Sequence, residues 1–317
     1  MESVIEDKYI GQRLDSVVHS ILEEMGNISL TRSLVQNYIE KGCSVNGNIC
    51  KKAYRFKERD VIYIDEKYWL DINNKLDLSK EILPQKGDLD IRYEDEELIV
   101  LYKQKNLVVH PGVGNSDRTL ANFIRYYLES KNEYDGLLDK GGIVHRLDKG
   151  VSGLMVVAKN KHTQEYLRGL FKKHEVIKIY HAYLEESNEY KNIDQDLDIE
   201  KYLERMNIDI EPWKKWEKVE GYIGRSSRDR YKMEFKRYEF DGSKYALSYV
   251  LYSNNQALIK IETGRMHQIR ATLKYLGLHI KGDSLYAEGR VNSNSIMLEE
   301  VLLSFVKENG NRLTFKV

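Results

Sequence analysis

The sequence has no run approaching the roughly 18 consecutive apolar residues that a membrane-spanning helix needs. The first seven residues also lack the basic start and apolar core of a secretion signal. We therefore expect a cytoplasmic protein. The 317 residues, 41% of them hydrophobic and 32% charged, are enough for a sizeable core and predict two domains.

Cysteine is scarce: Cys43 and Cys50 are the only two in the sequence. They lie in one segment without a His or Cys partner at the spacing of zinc ligands. We therefore expect ordinary buried thiols rather than metal ligands or a disulfide.

Net charge is absent as well, because 50 basic and 50 acidic residues cancel. A nucleic-acid site must then come from local patterning. The sequence also lacks a Gly-x-x-x-x-Gly-Lys-Ser/Thr loop, a Gly-x-Gly-x-x-Gly turn, a Gly-x-Ser-x-Gly elbow and a His-Glu-x-x-His pair. These absences argue against a nucleotidase, a dehydrogenase, a serine hydrolase and a zinc protease.

Residues 1–66 form a predicted small α+β unit. Apolar residues at helical spacing predict two helices, around Leu14–Leu22 and around Leu34–Ile39, with Gly42 ending the second. Asn46-Gly47 predicts a hairpin turn between short strands at 43–45 and 49–50. The polar segment 67–87 shows no sustained periodicity and is the predicted linker.

The second predicted domain covers residues 88–317. Helices are predicted at Thr163–His174, with Thr163 as a possible N-cap, and at Met266–Leu276, closed by Gly277. Because strands and helices do not alternate in βαβ order, the sequence predicts an α+β fold with a mixed, mostly antiparallel sheet. The strand candidates are Leu98–Tyr102, Leu154–Ala158, Ile177–Tyr183 and Ala257–Ile261.

Residues 185–218 are predicted to be an insertion. The part to about Glu211 is acidic, and we interpret it as a solvated helical segment because acidic surfaces repel phosphate. A basic run follows from Lys214 to Lys232, and either RNA contact or an ordinary solvated face explains it.

Three clusters carry candidate chemistry. In Gly142–Leu154, Asp148 lies between cations, which keep a carboxylate ionised for work as a nucleophile or base; the alternative is an Asp that caps a turn. Lys178-Ile179-Tyr180, taken alone, is typical of strand packing. In Glu262–Arg270, Arg265 follows a glycine turn and is placed to reach a buried carboxylate; the alternative is a helix with surface arginines.

Together and in this order, the clusters resemble those of the RluA-type pseudouridine synthases, and Asn106–Asn115 upstream points to the RluD-like branch. The resemblance covers nearly the whole chain. Its motifs are His145-Arg146-Leu147-Asp148-Lys149, then Lys178-Ile179-Tyr180, then Thr263-Gly264-Arg265-Met266-His267-Gln268-Ile269-Arg270, then Gly282-Asp283 with Tyr286. The first unit, with Arg13-Leu14-Asp15, Thr31–Gln36 and Gly42–Gly47, resembles an S4 RNA-binding domain.

The resemblance implies an isomerase that converts uridine to pseudouridine without a cofactor. Asp148 matches the essential aspartate, Tyr180 the tyrosine that stacks on uracil and is associated with proton transfer, and Arg265 the arginine that pairs with the aspartate. Arg146 matches the residue that enters the RNA stack beside the flipped nucleotide. Further RNA contacts are expected from His145, Arg270, Arg32 and Gln36.

The resemblance leaves the substrate open. Glu299 stands where the family usually has His, and Gly150-Val151 replaces a common Asp-Thr. Large-subunit ribosomal RNA is the expected substrate, and we expect a monomer. The alternatives are a transfer RNA enzyme and a non-catalytic RNA-binding factor for ribosome assembly.

Overall fold

A computed structural model describes residues 2–25, 32–72, 82–112, 114–185, 198–253, 255–286 and 295–317. The chain divides into two compact units, Met1–Glu81 and Ile82–Val317. Within the described part, no helix is both long and apolar enough to cross a membrane.

The first unit packs helices against a small antiparallel sheet with strand order β1-β3-β2. Its strands are β1 (Glu2–Val4), β2 (Cys43–Val45) and β3 (Val61–Ile64), and its helices are α1 (Leu14–Glu24), α2 (Arg32–Gly42) and α3 (66–72). The apolar stripes of α1 and α2 form the core with β2 and β3, as their helical spacing predicts. Cys43 is buried, Cys50 is half-buried, and both are free thiols.

The turn at Asn46-Gly47 is present, but it does not join the predicted strands. Asn46 and Gly47 have φ of 51° and 73°, the left-handed conformation that a tight hairpin turn requires. After a single bridge between Val45 and Asn48, the chain leaves the sheet, and β2 pairs with β3 instead. Asn46 supports this pairing, because its side chain bonds the Asp60 carboxylate and the Val61 amide.

The boundary between the units, after Glu81, falls inside the predicted linker over 67–87, but the two ends of that segment are packed. Trp69 in α3 is buried in the core of the first unit. On the other side, the Asn122 side chain donates to the Leu83 carbonyl, and Gln85 accepts a hydrogen bond from the Arg118 amide. Both ends of the predicted linker therefore pack on their own units, and residues 73–81 lie outside the described part.

The second unit is built on a ten-stranded sheet of order β4-β5-β6-β12-β7-β11-β10-β8-β9, with β13 paired to β12. The described pairs are antiparallel except for β6 with β12, so the predicted α+β fold with a mixed, mostly antiparallel sheet is confirmed. The strands are β4 (Asp90–Glu94), β5 (Leu98–Lys103), β6 (Ser152–Ala158), β7 (Ile177–Tyr183), β8 (Glu217–Arg225), β9 (Met233–Lys236), β10 (Lys244–Tyr252), β11 (Gln256–Ile261), β12 (Leu298–Val306) and β13 (Arg312–Lys316).

Helices cover both faces of this sheet. They are α4 (Leu120–Ser130), α5 (Lys161–Lys173), α6 (Ile199–Arg205) and α7 (Gln268–Tyr275). Helices α4 and α7 pack on the face that carries Leu101 and Met155, whereas α5 packs on the face that carries Val100 and Val156. This division follows from the alternation of side chains along a strand. The predicted N-cap of α5 is wrong: Asn160 caps the helix by accepting from the Thr163 amide.

The described part of the insertion, 198–216, is not simply a solvated helix. Its short helix α6 and the two 3-10 turns that follow bury Trp213 and Trp216 with Ile179 and Leu258 of the sheet. The sequence did not predict this packing, because the apolar residues are spread over several short turns and follow no single helical period. The acidic residues between 186 and 197 lie outside the described part.

Candidate active site

Asp148 lies in the loop that leads into β6. The buried Leu147 side chain anchors this loop, and the Asp148 carbonyl accepts a hydrogen bond from the Val151 amide at 3.0 Å. The Asp148 side chain is 34% exposed. Arg146 is exposed in the same loop, and its positive charge reaches the ring of His267. The loop therefore presents one carboxylate and one cation to an incoming ligand.

Arg270, in the first turn of α7, is the guanidinium beside Asp148. Its Nη1 lies 3.7 Å from Asp148 Oδ2. Its Nε and Nη2 donate to the two carboxylate oxygens of Asp283 at 2.8 and 2.6 Å. A guanidinium fixed by two parallel bonds has a defined orientation. Arg270 thus joins the Gly282-Asp283 motif to the Asp148 loop.

The sequence assigned this pairing to Arg265, and the structure corrects it. The Nε of Arg265 donates to the Tyr245 carbonyl at 2.7 Å, and its guanidinium does not pair with Asp148. Arg265 precedes α7, whereas Arg270 lies on the first turn of the helix. Arg270, which the sequence predicts to bind RNA, is only 13% exposed and bonds Asp283, so that contact stays a prediction.

Gln268 fixes the turn that separates the two arginines. Its side-chain oxygen accepts from the Thr263 hydroxyl at 2.8 Å and from the Arg265 amide at 3.0 Å. Its side-chain nitrogen donates to the Leu247 carbonyl and the Ser248 hydroxyl, each at 3.0 Å. This buried amide therefore ties the turn to β10 and sets the direction in which α7 begins.

His267 and Tyr286 complete the charged side of the site. His267 Nε2 lies 3.9 Å from Asp148 Oδ2, and Nδ1 lies 3.1 Å from the Tyr286 hydroxyl. The Tyr286 hydroxyl also accepts from the Met233 amide at 2.7 Å, which ties β9 to the site. Burial lowers the pKa of His267, partly against the attraction of Asp148, and burial raises the pKa of Tyr286 to about 12. We name Asp148, His267, Arg270, Asp283 and Tyr286 the charged cluster.

Lys103 is a site residue that the sequence did not indicate. Its side chain is fully buried at the end of β5, and its ammonium donates to the carbonyls of Gln104 and Leu107 at 2.9 Å and of Lys149 at 3.3 Å. Burial lowers its pKa to about 8, although Asp148 opposes the shift. Lys103 therefore holds the chain next to Asp148. In the sequence, the signal that could have indicated Lys103 is a lysine at the end of an otherwise apolar strand.

Tyr180, on β7, is buried, and its hydroxyl is hydrogen-bonded to a carboxylate. It donates to Glu300 Oε2 at 2.5 Å, and both side chains are buried. Burial raises the pKa of Tyr180 well above its usual value, and the negative charges of Glu300 and Asp148 add to this. Asp148 is thus close enough to affect Tyr180 electrostatically. We name Tyr180 and Glu300 the buried pair; sequence reasoning missed Glu300.

His145, one of the predicted RNA contacts, supports the loop that carries Asp148. Its Nε2 accepts from the Val156 amide at 3.0 Å, and its ring stacks on Phe171 with a centroid distance of 4.7 Å. Burial, followed by the charge of Lys178, lowers its pKa to about 3. A neutral imidazole bonded to a strand backbone supports the loop and gives phosphate no charge to bind.

The remaining predicted RNA contacts are in the first unit. Gln36 on α2 is half-buried, and its side-chain oxygen lies 3.4 Å from Lys52 Nζ. Arg32 begins α2, and its side chain lies outside the description. In the described ranges, no group of three or more His, Cys, Asp or Glu residues is arranged to hold a metal ion.

Comparison with known proteins gives a family match over the region just described. The model for RNA pseudouridylate synthase matches residues 97–275, which include Lys103, Asp148, Tyr180, His267 and Arg270. Among solved structures, Human RNA Pseudouridylate Synthase Domain Containing 1 superimposes with a TM-score of 0.53 at 20% identity, covering 74% of this chain and 85% of that one. That likeness concerns the fold.

Curated relatives extend the similarity to most of the chain. Ribosomal large subunit pseudouridine synthase D of Zymomonas mobilis is 28% identical over 300 residues, covering 92% of this chain and 82% of the relative. The protein of the same name from Escherichia coli K12 is 28% identical over 291 residues, covering 90% and 76%. Since the family model matches more than half of its residues, the chain belongs to the RNA pseudouridylate synthase family and is an isomerase of that class.

Proposed function

We propose that this enzyme isomerises uridines of large-subunit ribosomal RNA to pseudouridine, with Asp148 as the carboxylate that acts on the target nucleotide. The observation that carries the proposal is the position of Asp148: it is part-exposed, 3.7 Å from Arg270 Nη1 and 3.9 Å from His267 Nε2. The Arg270 guanidinium, itself fixed by two parallel bonds to Asp283, orients the carboxylate beside it. The names of the curated relatives supply the ribosomal substrate.

The reaction requires the base to leave its stack. Uracil must be detached, turned and rejoined through carbon, which needs a flipped nucleotide at a cost of a few kcal/mol. Arg146 is exposed two positions before Asp148 and is suited to fill the space that the base vacates. Tyr180 brings an aromatic ring next to the same carboxylate, and stacking on an aromatic ring is worth about 1–3 kcal/mol per base. These features support a flipped uridine held over Asp148.

An in-cell modification map tests the substrate. Pseudouridine would be mapped in ribosomal and transfer RNA of a deletion strain carrying either the wild-type gene or Asp148→Asn. We expect specific large-subunit sites to disappear on deletion, to return with wild type and to stay absent with the Asn variant. If every ribosomal site persists, the ribosomal assignment is wrong, and loss of transfer RNA sites instead would identify the other substrate class.

We also propose that the first unit is an S4-like RNA-binding domain that uses α2, including Arg32 and Gln36. The supporting features are the motif pattern and the three-stranded sheet packed against α1 and α2. The second unit has its own core, so a chain that starts at Ile82 is expected to fold. It should bind a ribosomal RNA fragment more weakly than the full chain in a filter-binding titration. Equal affinity would remove the first unit from RNA binding.

A further inference from the structure

Glu300 is placed against Tyr180 by the sheet itself. Strands β12 and β7 are antiparallel, and Glu300 is the direct partner of Tyr180 in their register. The register shifts immediately after Glu300, between Glu300 and Leu302. Such a bulge redirects a side chain and is common beside active sites. On the other side, Gly153 of β6 approaches so closely that a Cβ there would lie 2.4 Å from the Glu300 amide nitrogen.

The carboxylate has little to stabilise its charge. Glu300 is fully buried, its Oε2 accepts the Tyr180 hydroxyl at 2.5 Å, and its Oε1 has no hydrogen-bond partner among the described residues. Lys178, two residues before Tyr180 on β7, supplies the opposing positive charge from a distance. Lys260 of β11 and Glu262, which follows that strand, act electrostatically on Lys178, and Asp148 acts on Tyr180. From β6, the nearest residue is Gly153, which has no side chain.

A buried carboxylate without full hydrogen bonding costs free energy, so its presence calls for a physical explanation. A tyrosine with a raised pKa is a poor base on its own. Its oxygen can take a proton only if its own hydroxyl proton has somewhere to go. A carboxylate within hydrogen-bond reach provides that place, as the base partner does in other activated hydroxyl groups.

We propose that Glu300 is the positioning residue for Tyr180: it accepts the Tyr180 hydroxyl hydrogen, so that an oxygen lone pair of Tyr180 is directed at the nucleotide. This rests on the proposed function. When a carbon of the nucleotide gives up a proton, the electron pair of its C–H bond stays on the nucleotide and the proton joins Tyr180 Oη. The former hydroxyl proton moves to Glu300 Oε2. The reverse transfer restores the carboxylate, and no other reactant is needed.

The proposal implies a pH dependence. Burial raises the pKa of Glu300 to about 8, with Lys178 and Tyr180 opposing the shift. The carboxylate form that can accept a proton is therefore the minority at neutral pH and becomes the majority only above a pH of about 8. The single-turnover rate of the wild-type enzyme should rise with pH as Glu300 ionises.

The kinetic test uses the full-length chain with Glu300→Gln, Tyr180→Phe and the double variant, on a ribosomal RNA fragment that wild type modifies. Glu300→Gln should lower kcat by about 100-fold with KM little changed, and the rise of rate with pH should disappear. In the Tyr180→Phe background, Glu300→Gln should cause no further loss, because Glu300 acts through Tyr180. Glu299→Gln is the matched control: this neighbouring carboxylate bonds Tyr102 instead and should keep the wild-type profile.

An infrared titration of the RNA-free protein supplies a readout that does not depend on turnover. We expect a protonated buried carboxyl band that is lost near pH 8, is absent from Glu300→Gln and is displaced in Tyr180→Phe. A band unaffected by Tyr180→Phe overturns the proposal, and so does Glu300→Gln with wild-type kcat and pH profile. An inactive wild type overturns the proposed function itself, so the two failures are distinguishable.

Discussion

The charged cluster and the buried pair respond to burial in opposite ways. In the charged cluster, burial alone would lower the pKa of Arg270, but the hydrogen bond to Asp283 and the charges of Asp283 and Asp148 raise it. In the buried pair, desolvation outweighs the attraction of Lys178 and the hydrogen bond from Tyr180, so the pKa of Glu300 rises to about 8. The comparison shows that the partners of a buried ionisable group decide whether its charged form is favoured or suppressed.

Replacing each arginine by lysine should give the largest effect on activity, and it tests which of the two the charged cluster needs. Arg270→Lys loses the two parallel bonds to Asp283, so we expect kcat/KM to fall by about 100-fold, a typical cost for a misplaced catalytic contact. Arg265→Lys is the matched control and should lose less than about tenfold, since its guanidinium contacts a carbonyl on β10. Steady-state kinetics on an RNA fragment that the wild-type enzyme modifies measures kcat/KM of both variants. Equal losses would contradict the pairing of Arg270 with Asp148.

The pH dependence of the free energy of unfolding distinguishes the buried pair from the charged cluster. Glu300 ionises near pH 4.5 when unfolded but near 8 when folded, so the folded state binds more protons between these values. Stability should therefore fall as pH rises through that window. Each pKa unit corresponds to about 1.4 kcal/mol. Glu300→Gln should remove this slope and raise the free energy of unfolding at pH 8 by a few kcal/mol.

Urea unfolding at pH 6 and pH 8 measures this effect. Asp283→Asn, in the charged cluster, is the opposite control: it leaves Arg270 without its carboxylate partner and should destabilise the fold at both pH values. If Glu300→Gln is less stable than wild type at pH 8, the carboxylate contributes favourable contacts that outweigh its desolvation, and the contrast between the two regions fails.

A smaller effect is expected from the glycine that lets β6 approach the buried pair. Gly153→Ala would place a methyl group 2.4 to 2.7 Å from Glu300 backbone atoms at a φ of 132°, so we expect a loss of about 2 kcal/mol in unfolding free energy. Gly169→Ala is the control, because the helical position in α5 is open and alanine favours a helix. Thermal unfolding of the two variants should shift in opposite directions, and equal shifts would show that β6 adapts easily.

Much of the second unit's fold followed from the sequence. The predicted strand Ile177–Tyr183 has the observed bounds, and the prediction at Leu98–Tyr102 is one residue short of β5. The errors have a common physical origin. The segments around Ile49 and Trp213 take their conformation from the surfaces on which they pack, and no local period records such packing.

The site was predicted in part. The order of the motifs predicted that Asp148, Tyr180 and the run ending at Arg270 belong to one site. Their spacing did not reveal which arginine lies beside Asp148, because the hydrogen bonds of Gln268 and the start of α7 determine this. Glu300 could not be predicted as a site residue, for a different reason. It meets Tyr180 across a strand pair 120 residues apart in the chain, and a single sequence carries no record of that pairing.

The three tryptophans of the chain have a practical consequence. Trp69 lies in the core of the first unit, and Trp213 and Trp216 lie in the insertion of the second, packed on its sheet. All three are buried, and none belongs to the charged cluster or the buried pair. Tryptophan fluorescence therefore gives each unit its own optical signal: replacing Trp69 with Phe removes the tryptophan emission of the first unit, and replacing the other two removes that of the second. The two units can then be followed separately as they fold in one intact chain.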